Sequence, residues 1–445
     1  MNLQSSAGKL SFRQKLSYGV GDLGANLVFN LIGFFLLYYL TDISLLKASL
    51  AGLVLTLVRI VDGIIDPFIG IITDRTSSRY GRRRPFILYG AVPVGIFLVL
   101  LFSGSPVQAQ AGKFIYYLLI YALFVTSYSI VNVPYSALTP DLTKDFDERT
   151  SLNGFRMASA IVGTLIAAGA TTILVGLFTH EAVGFSSVAA LYGFIFILMS
   201  LIVFWGTKGK DRNAPQIHDE NMVSLYKSAL KNKPFILVAI TYILHTFAIT
   251  TISSSLIYYL KYYIGQEDLI SLTFLVLLLT SMVFIPFWVW VSKKIGKKQA
   301  YMIGMSILAL GMVMLFFLKP EDVSRIYFLA AFAGSGLSTF YVMPWSIVPD
   351  AIEYHQLRTG QKIEGVFYGI WSFGPNLGSS LAGFSLGMGL TAFGYIPNLV
   401  NQSQKTLMGI RSIFCLFPAA IILIGVWVLS YYPITKKSLA ELENL

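Results

Sequence analysis

The sequence predicts an all-α membrane protein, with twelve transmembrane helices in two pseudo-symmetric six-helix halves. Three observations predict it. The chain of 445 residues is 55% hydrophobic and only 12% charged, where a soluble globular protein carries roughly 25% charged residues. The charges are clustered, and the apolar runs between the clusters are each near the ~20 residues that a spanning helix needs. Two motifs also recur at nearly one offset in the two halves of the chain.

The apolar runs fall in order at roughly 16–40, 47–72, 86–104, 113–138, 152–179, 186–205, 234–263, 269–291, 299–318, 325–349, 365–390 and 406–432. The loops on one side hold 24 basic residues, among them Arg82, Arg83, Arg84, Lys293, Lys294, Lys297 and Lys298; the loops on the other side hold 7. The positive-inside rule then puts both termini and the long middle loop in the cytoplasm, and the expected location is the cell (inner) membrane. The middle loop, GTKGKDRNAPQIHDENMVSLYKSALKNK, is the one long polar linker; it gives an N-terminal half at 1–205, a linker at 206–233 and a C-terminal half at 234–445. VPYSALTPD (133–141) follows the fourth run and MPWSIVPD (343–350) the tenth, while SRYGRRRP (78–85) and KKIGKK (293–298) follow the second and the eighth. Two matches at offsets of about 210–215 residues mark an internal repeat. Two six-helix halves related by an axis along the membrane normal are the major facilitator architecture, whose sites lie near the midplane between the halves.

Ionisable residues inside such runs are costly and mostly functional. In the first run, Asp22 shares a helical face with Asn26 and Asn30, as a substrate contact or a cytoplasmic-end gate. In the second, VLTLVRIVDGIIDPFIGIIT (54–73), Asp62 and Asp66 are four residues apart and point the same way, with Arg59 on their face. Two carboxylates this close in a low dielectric share a proton or hold a cation. Arg59 is also a candidate gating residue, and bracing by it is the structural alternative. Asn132, before Pro134, and Asn376, after Pro375, sit where helices are expected to break. Arg156 opens the fifth run and needs an anionic or hydroxyl-rich partner, which points to a pocket or a gate. Tyr135 and Trp345, at matching repeat positions, are expected to organise the repeated turns, and His245 to be a satisfied hydrogen-bonding residue. Asp74, Asp141, Asp350 and Glu353, beside the basic loops, are candidate gating acids for ion pairs across the cytoplasmic mouth.

Other function classes fit poorly. The single Cys415 excludes an internal disulfide framework, and none of the four histidines has metal-ligand spacing. The polar, basic N-terminus lacks a signal-peptide core. The formal charge of +11 fits cytoplasmic loops facing anionic lipid rather than nucleic acid. HEAVG (180–184) has no second histidine, and no nucleophile–base pair stands out, so an enzyme is not expected.

Five segments carry a resemblance: KLSYGVGDLGANL, VRIVDGIIDP, TSSRYGRRRPFIL, VNVPYSALTPDLTKDFDERTSLNGFR and MPWSIVPDAIEYHQLRTGQKIEGVFYGIW. Together they resemble the glycoside–pentoside–hexuronide:cation symporters, the melibiose-permease branch of the major facilitators. DRTSSRYGRRRPFI is also similar to plant sucrose transporters. The resemblance implies alternating access, a monovalent cation (H+ or Na+) on Asp62 and Asp66 with help from Ser129, and cargo contacts at Asn26, Asn132, Ser136, Arg156 and Asn376. Where melibiose permeases have acids, this chain has Asn26 and Asn132; where they have Trp and Lys, it has Ser136 and Asn376; where they have a cation-selecting amide, it has Ile65. These departures favour H+ over Na+ and a cargo other than a galactoside. The expectation is symport of a sugar or glycoside by a monomer, with no cofactor. A lysophospholipid-like amphipathic cargo is the alternative, since the vertebrate lysophosphatidylcholine symporter belongs to the same broad family.

Overall fold

The computed structural model describes residues 10–143, 146–209, 222–360, 363–399 and 401–434. Fifteen helices follow one another there, and no strand occurs among the described residues. They are α1 (Phe12–Tyr38), α2 (Ala48–Arg75), α3 (Arg84–Leu101), α4 (Gln110–Ala137), the short α5 (Thr139–Leu142), α6 (Phe146–Val175), α7 (Glu181–Gly206), α8 (Met222–Leu230), α9 (Lys233–Tyr258), α10 (Leu269–Ile295), α11 (Lys297–Phe316), α12 (Val323–Thr359), α13 (Glu364–Ala392), α14 (Gln404–Arg411) and α15 (Phe417–Ser430).

Among the described residues, eleven helical stretches are long and apolar enough to cross a membrane. The eleventh apolar run became α13, which at 29 residues has the length but not the hydropathy, because Gly, Ser and Asn376 dilute it. Several helices outrun their apolar runs. α12 continues ten residues past 349 to Thr359, where Gly360 at φ +72° turns the chain out. Hydrophobic runs measure the length in hydrocarbon, whereas a helix persists into the interface until a cap such as this left-handed glycine ends it. At the other end, Ser11 and Gln14 form a capping box that starts α1, and Asn232 caps α9 while its amide binds the Ala351 carbonyl in α12.

The helices at the prolines are not broken. α4 runs through Pro134 and α13 through Pro375. Each proline removes one N–H donor, but backbone in a membrane has no water to replace the remaining bonds, so the helix holds. The repeated motifs are helical as well: VPYSALTPD is the end of α4 plus α5, and MPWSIVPD lies inside α12.

The chain divides into two compact units, Met1–Ile217 and His218–Leu445. In the first, α1 packs on α6 and α7, α3 on α4 and α7, and α2 on α4; in the second, α9 packs on α13 and α15, α11 on α12 and α15, and α10 on α12. The two sets match term by term. So do two π-helical turns, Tyr39–Ile43 after α1 and Tyr259–Ile264 after α9. Tyr39 stacks edge-on against Phe102 just past α3, and Tyr259 donates to the Leu315 carbonyl near the end of α11.

Small residues let these helices approach, as is usual in membranes. A side chain on Gly193 of α7 would put its Cβ 3.1 Å from the Gly95 Cα of α3, where only backbone could yield. Gly193→Leu is therefore expected to cost about 1–3 kcal/mol by overpacking. Thermal unfolding in detergent checks this against Gly33→Leu, whose added Cβ meets nothing within 4 Å.

Candidate functional site

α2 carries the acidic couple, and its residues lie against α4. Asp62 is buried, with 7% of its surface exposed. Both of its oxygens are engaged: Oδ1 accepts from Ser129 Oγ at 3.1 Å, and Oδ2 lies 3.6 Å from Arg59 Nη1. The Arg59 guanidinium also covers the Phe29 ring of α1 at 4.9 Å. Asp66, one turn along the same face, is half-buried, and Ser129 sits beside it as well. Its Oδ1 is buried and accepts no hydrogen bond among the described residues. Arg59 matches one carboxylate, so with both acids ionised the cluster keeps one unmatched negative charge. A buried acceptor without a partner is expensive. One proton or one small monovalent cation would satisfy it.

A second cluster joins α1, α4 and α6. Arg156 Nε donates to Asp22 Oδ2 at 2.5 Å and Nη2 to Oδ1 at 3.3 Å, in a fork-on-carboxylate geometry. Tyr135 donates its hydroxyl to the same Oδ2 at 2.7 Å. The guanidinium lies over the rings of Tyr135 (4.9 Å) and Tyr18 (5.7 Å). Tyr18 bonds the Tyr135 carbonyl and Thr139 Oγ1 at 2.9 and 2.8 Å. Beyond this, among the described residues, the guanidinium has only long contacts, Nη1 to Thr139 and Nη2 to the exposed Ser136, both 3.4 Å. Asp22 and Arg156, read from the sequence as separate contacts, are thus one neutral pair.

The chain matches the family described as MFS/sugar transport protein over residues 17–436. The chain belongs to that family. It is 31% identical to an uncharacterized symporter, YnaJ, of Bacillus subtilis (strain 168), over 99% of this chain and 97% of that one. It is 29% identical to a putative sulfoquinovose importer of Escherichia coli (strain K12), over 97% and 93%. The crystal structure of the nucleoside transporter NupG superposes with a TM-score of 0.69 over 94% of this chain and 99% of that one, at 12% identity, and shares the fold. This MFS protein is therefore a multi-pass membrane transporter of a small molecule and not an enzyme. Its GFSLG string (383–387) lies mid-helix in α13, not on the strand-to-helix turn that exposes a hydrolase serine.

The remaining candidate residues are each described within their own unit. Asn26 and Asn30 each donate to the backbone four residues back, at Asp22 and Asn26, and Asn30 also reaches Thr164. Asn132 lines a small, mostly apolar cavity inside the first unit, with Ser200 also on its wall. Asn376 is half-buried on α13 of the second unit. Two of the four gating acids are paired within their own units. Asp141 binds Arg83 at 2.5 Å and Arg82 at 3.5 Å, and Asp350 binds Lys297 at 2.7 Å. In each unit the acid ending one repeated motif therefore meets a base from the other. Glu353 is exposed, and the Asp74 side chain lies outside the described residues.

His245 is fully buried, with Nδ1 2.6 Å from Tyr301 Oη and Nε2 3.2 Å from the Ile422 carbonyl. This matches its reading as a satisfied hydrogen-bonding residue. His245→Ala is expected to cost about 1–3 kcal/mol of stability for the partners left unsatisfied, and so to lower the melting temperature, without changing which ion drives uptake; a melt and an ion-swap uptake assay check both parts. The sequence reading missed Tyr18 and Thr139. Their signal was spacing: Tyr18 is four residues before Asp22, and Thr139 four after Tyr135.

Proposed function

We propose that this transporter is a cation-coupled symporter of a sugar or glycoside, driven by H+ rather than Na+ and working by alternating access as a monomer in the inner membrane, with both termini cytoplasmic. The observation that carries this reading is the unpartnered, buried Asp66 Oδ1 beside an Asp62 already matched by Arg59 and Ser129. A proton needs one lone pair, which Asp66 has. A hard metal cation gathers several oxygens at once, and here Ile65 stands where the related permeases supply an amide. The sugar framework is carried over from the family's description and from the named cargo of the Escherichia coli relative.

Uptake into proteoliposomes tests the reading, with sugars, glycosides and a lysophosphatidylcholine offered under an imposed pH or Na+ gradient. Accumulation of a sugar or glycoside that follows the pH gradient and collapses with a protonophore is expected. Dependence on Na+ alone overturns the choice of ion. Accumulation of the lysolipid alone overturns the choice of cargo.

A further inference from the structure

We infer that Phe29 links cargo to coupling ion: its ring, on the face of α1 that carries Asp22 and Asn26, places the Arg59 guanidinium and so sets how freely Asp66 takes up the ion. This rests on the symport reading above and adds a positioning residue to it. Asp22, Asn26, Phe29 and Gly33 are spaced i, i+4, i+7 and i+11, so they share one face of the helix. That face is not packed shut. Phe29 is 39% exposed, and a Cβ on Gly33 would meet nothing within 4 Å. α1 rests on α6 and α7, and α2 rests on α4; Phe29 joins the two groups. The Arg59 guanidinium of α2 covers its ring at 4.9 Å, and the Tyr128 ring of α4 lies 6.2 Å from it.

The ring matters because Asp62 does not fix Arg59 by itself. Nη1 lies 3.6 Å from Oδ2, an ion pair longer than a hydrogen bond. Two acids on one helical face compete for one guanidinium, and its charge reaches both. A ring face under a cation biases such a choice by about 2–30-fold. With the ring in place, the guanidinium stays at Asp62 and Asp66 is left for the ion. With the ring displaced, the guanidinium is free to lean toward Asp66 and compete with the ion. A cargo seated on Asn26, one turn away, holds the ring in place. It thereby strengthens ion binding, and by reciprocity the ion strengthens cargo binding by the same factor. The other groups around the cluster have their own roles. Ser129, Tyr121 and Tyr128 face it from α4 as hydroxyls. Asp22 is matched by Arg156, and Asp42, on the π-helical turn, accepts from Thr41 at 2.6 Å.

The test uses purified full-length carrier with 4-nitrophenyl β-glucoside, β-galactoside and β-glucuronide as probes. Calorimetry gives the Kd of each with the ion abundant and with it scarce: at an acidic and an alkaline pH that leave the probes' charge unchanged, and with and without Na+. In the wild type the two Kd values differ by about 5–150-fold. F29L keeps an apolar side chain but loses the ring face, and brings that ratio at least about threefold closer to one. F29M does the same and decides the matter should F29L not fold. F29Y keeps the face and holds the ratio within about twofold of the wild type. A side chain that only filled space would move both Kd values together and leave their ratio alone, so the ratio separates positioning from packing. An unchanged ratio in F29L or F29M, or a loss in F29Y as large as theirs, overturns the inference and leaves symport intact. A wild type that shows no difference between the two Kd values under either ion, or that binds none of the probes nor any other sugar or glycoside, overturns the symport reading, and this inference falls with it.

Discussion

Asp66→Asn is expected to abolish gradient-driven accumulation of cargo yet leave cargo exchange across the membrane in place. Asn has the shape of a protonated Asp but cannot take up or release the proton. It holds the cluster permanently in the neutral state that a bound cation creates, because Arg59 continues to match Asp62. The cargo site stays formed and the carrier can still reorient when loaded, so counterflow persists. What disappears is the free-energy link between ion and cargo. Such links amount to about 1–3 kcal/mol, or ~5–150-fold in affinity, and without the link cargo only equilibrates across the membrane. Parallel uptake and counterflow assays on one proteoliposome preparation check it. Asp62→Asn behaves differently. It strips Arg59 of its counter-charge in a buried setting, so it lowers the melting temperature and reduces both assays together.

Asp22→Ala and Arg156→Ala are each expected to destabilise the carrier by about 3 kcal/mol, the lower end of the range for breaking a buried ion pair, because both side chains keep a little solvent contact. The double substitution, with neither charge left stranded, regains most of the loss. The non-additivity is the signature of a direct pair. Denaturation of the three variants measures it, and simple addition of the two losses would show that Asp22 and Arg156 do not act as a unit.

The spans and the acidic couple were legible because each rests on a local rule. A bilayer demands ~20 apolar residues, so the runs stand out; a 3.6-residue helix puts Asp62 and Asp66 on one face wherever the helix goes. Pairings between helices were not legible in this way. Nothing in the spacing says that Arg156 meets Asp22 rather than a cargo, since they are 134 residues apart. The acids beside the basic loops illustrate the same limit. Their type and place suggest ion pairs, but Asp141 and Asp350 meet bases of their own units, among them Arg82 and Lys297, at positions the repeat makes equivalent. The prolines misled for a further reason. Pro134 and Pro375 break helices in water, but a membrane span keeps its remaining hydrogen bonds and stays continuous. Trp345 shows how a repeat can diverge: its counterpart Tyr135 is buried and anchors Asp22, whereas Trp345 is 52% exposed and leans edge-on against Trp371.

The claim beneath the transport mechanism is that the Asp62–Asp66 couple, one charge short of neutral, carries the coupling ion. Cargo-triggered proton movement into proteoliposomes, read with an internal pH dye and no imposed gradient, measures this directly. One proton entering per cargo molecule in the wild type, and none in Asp66→Asn while cargo still exchanges, is the predicted result. Cargo entry without proton movement, or proton entry undiminished in Asp66→Asn, would contradict it.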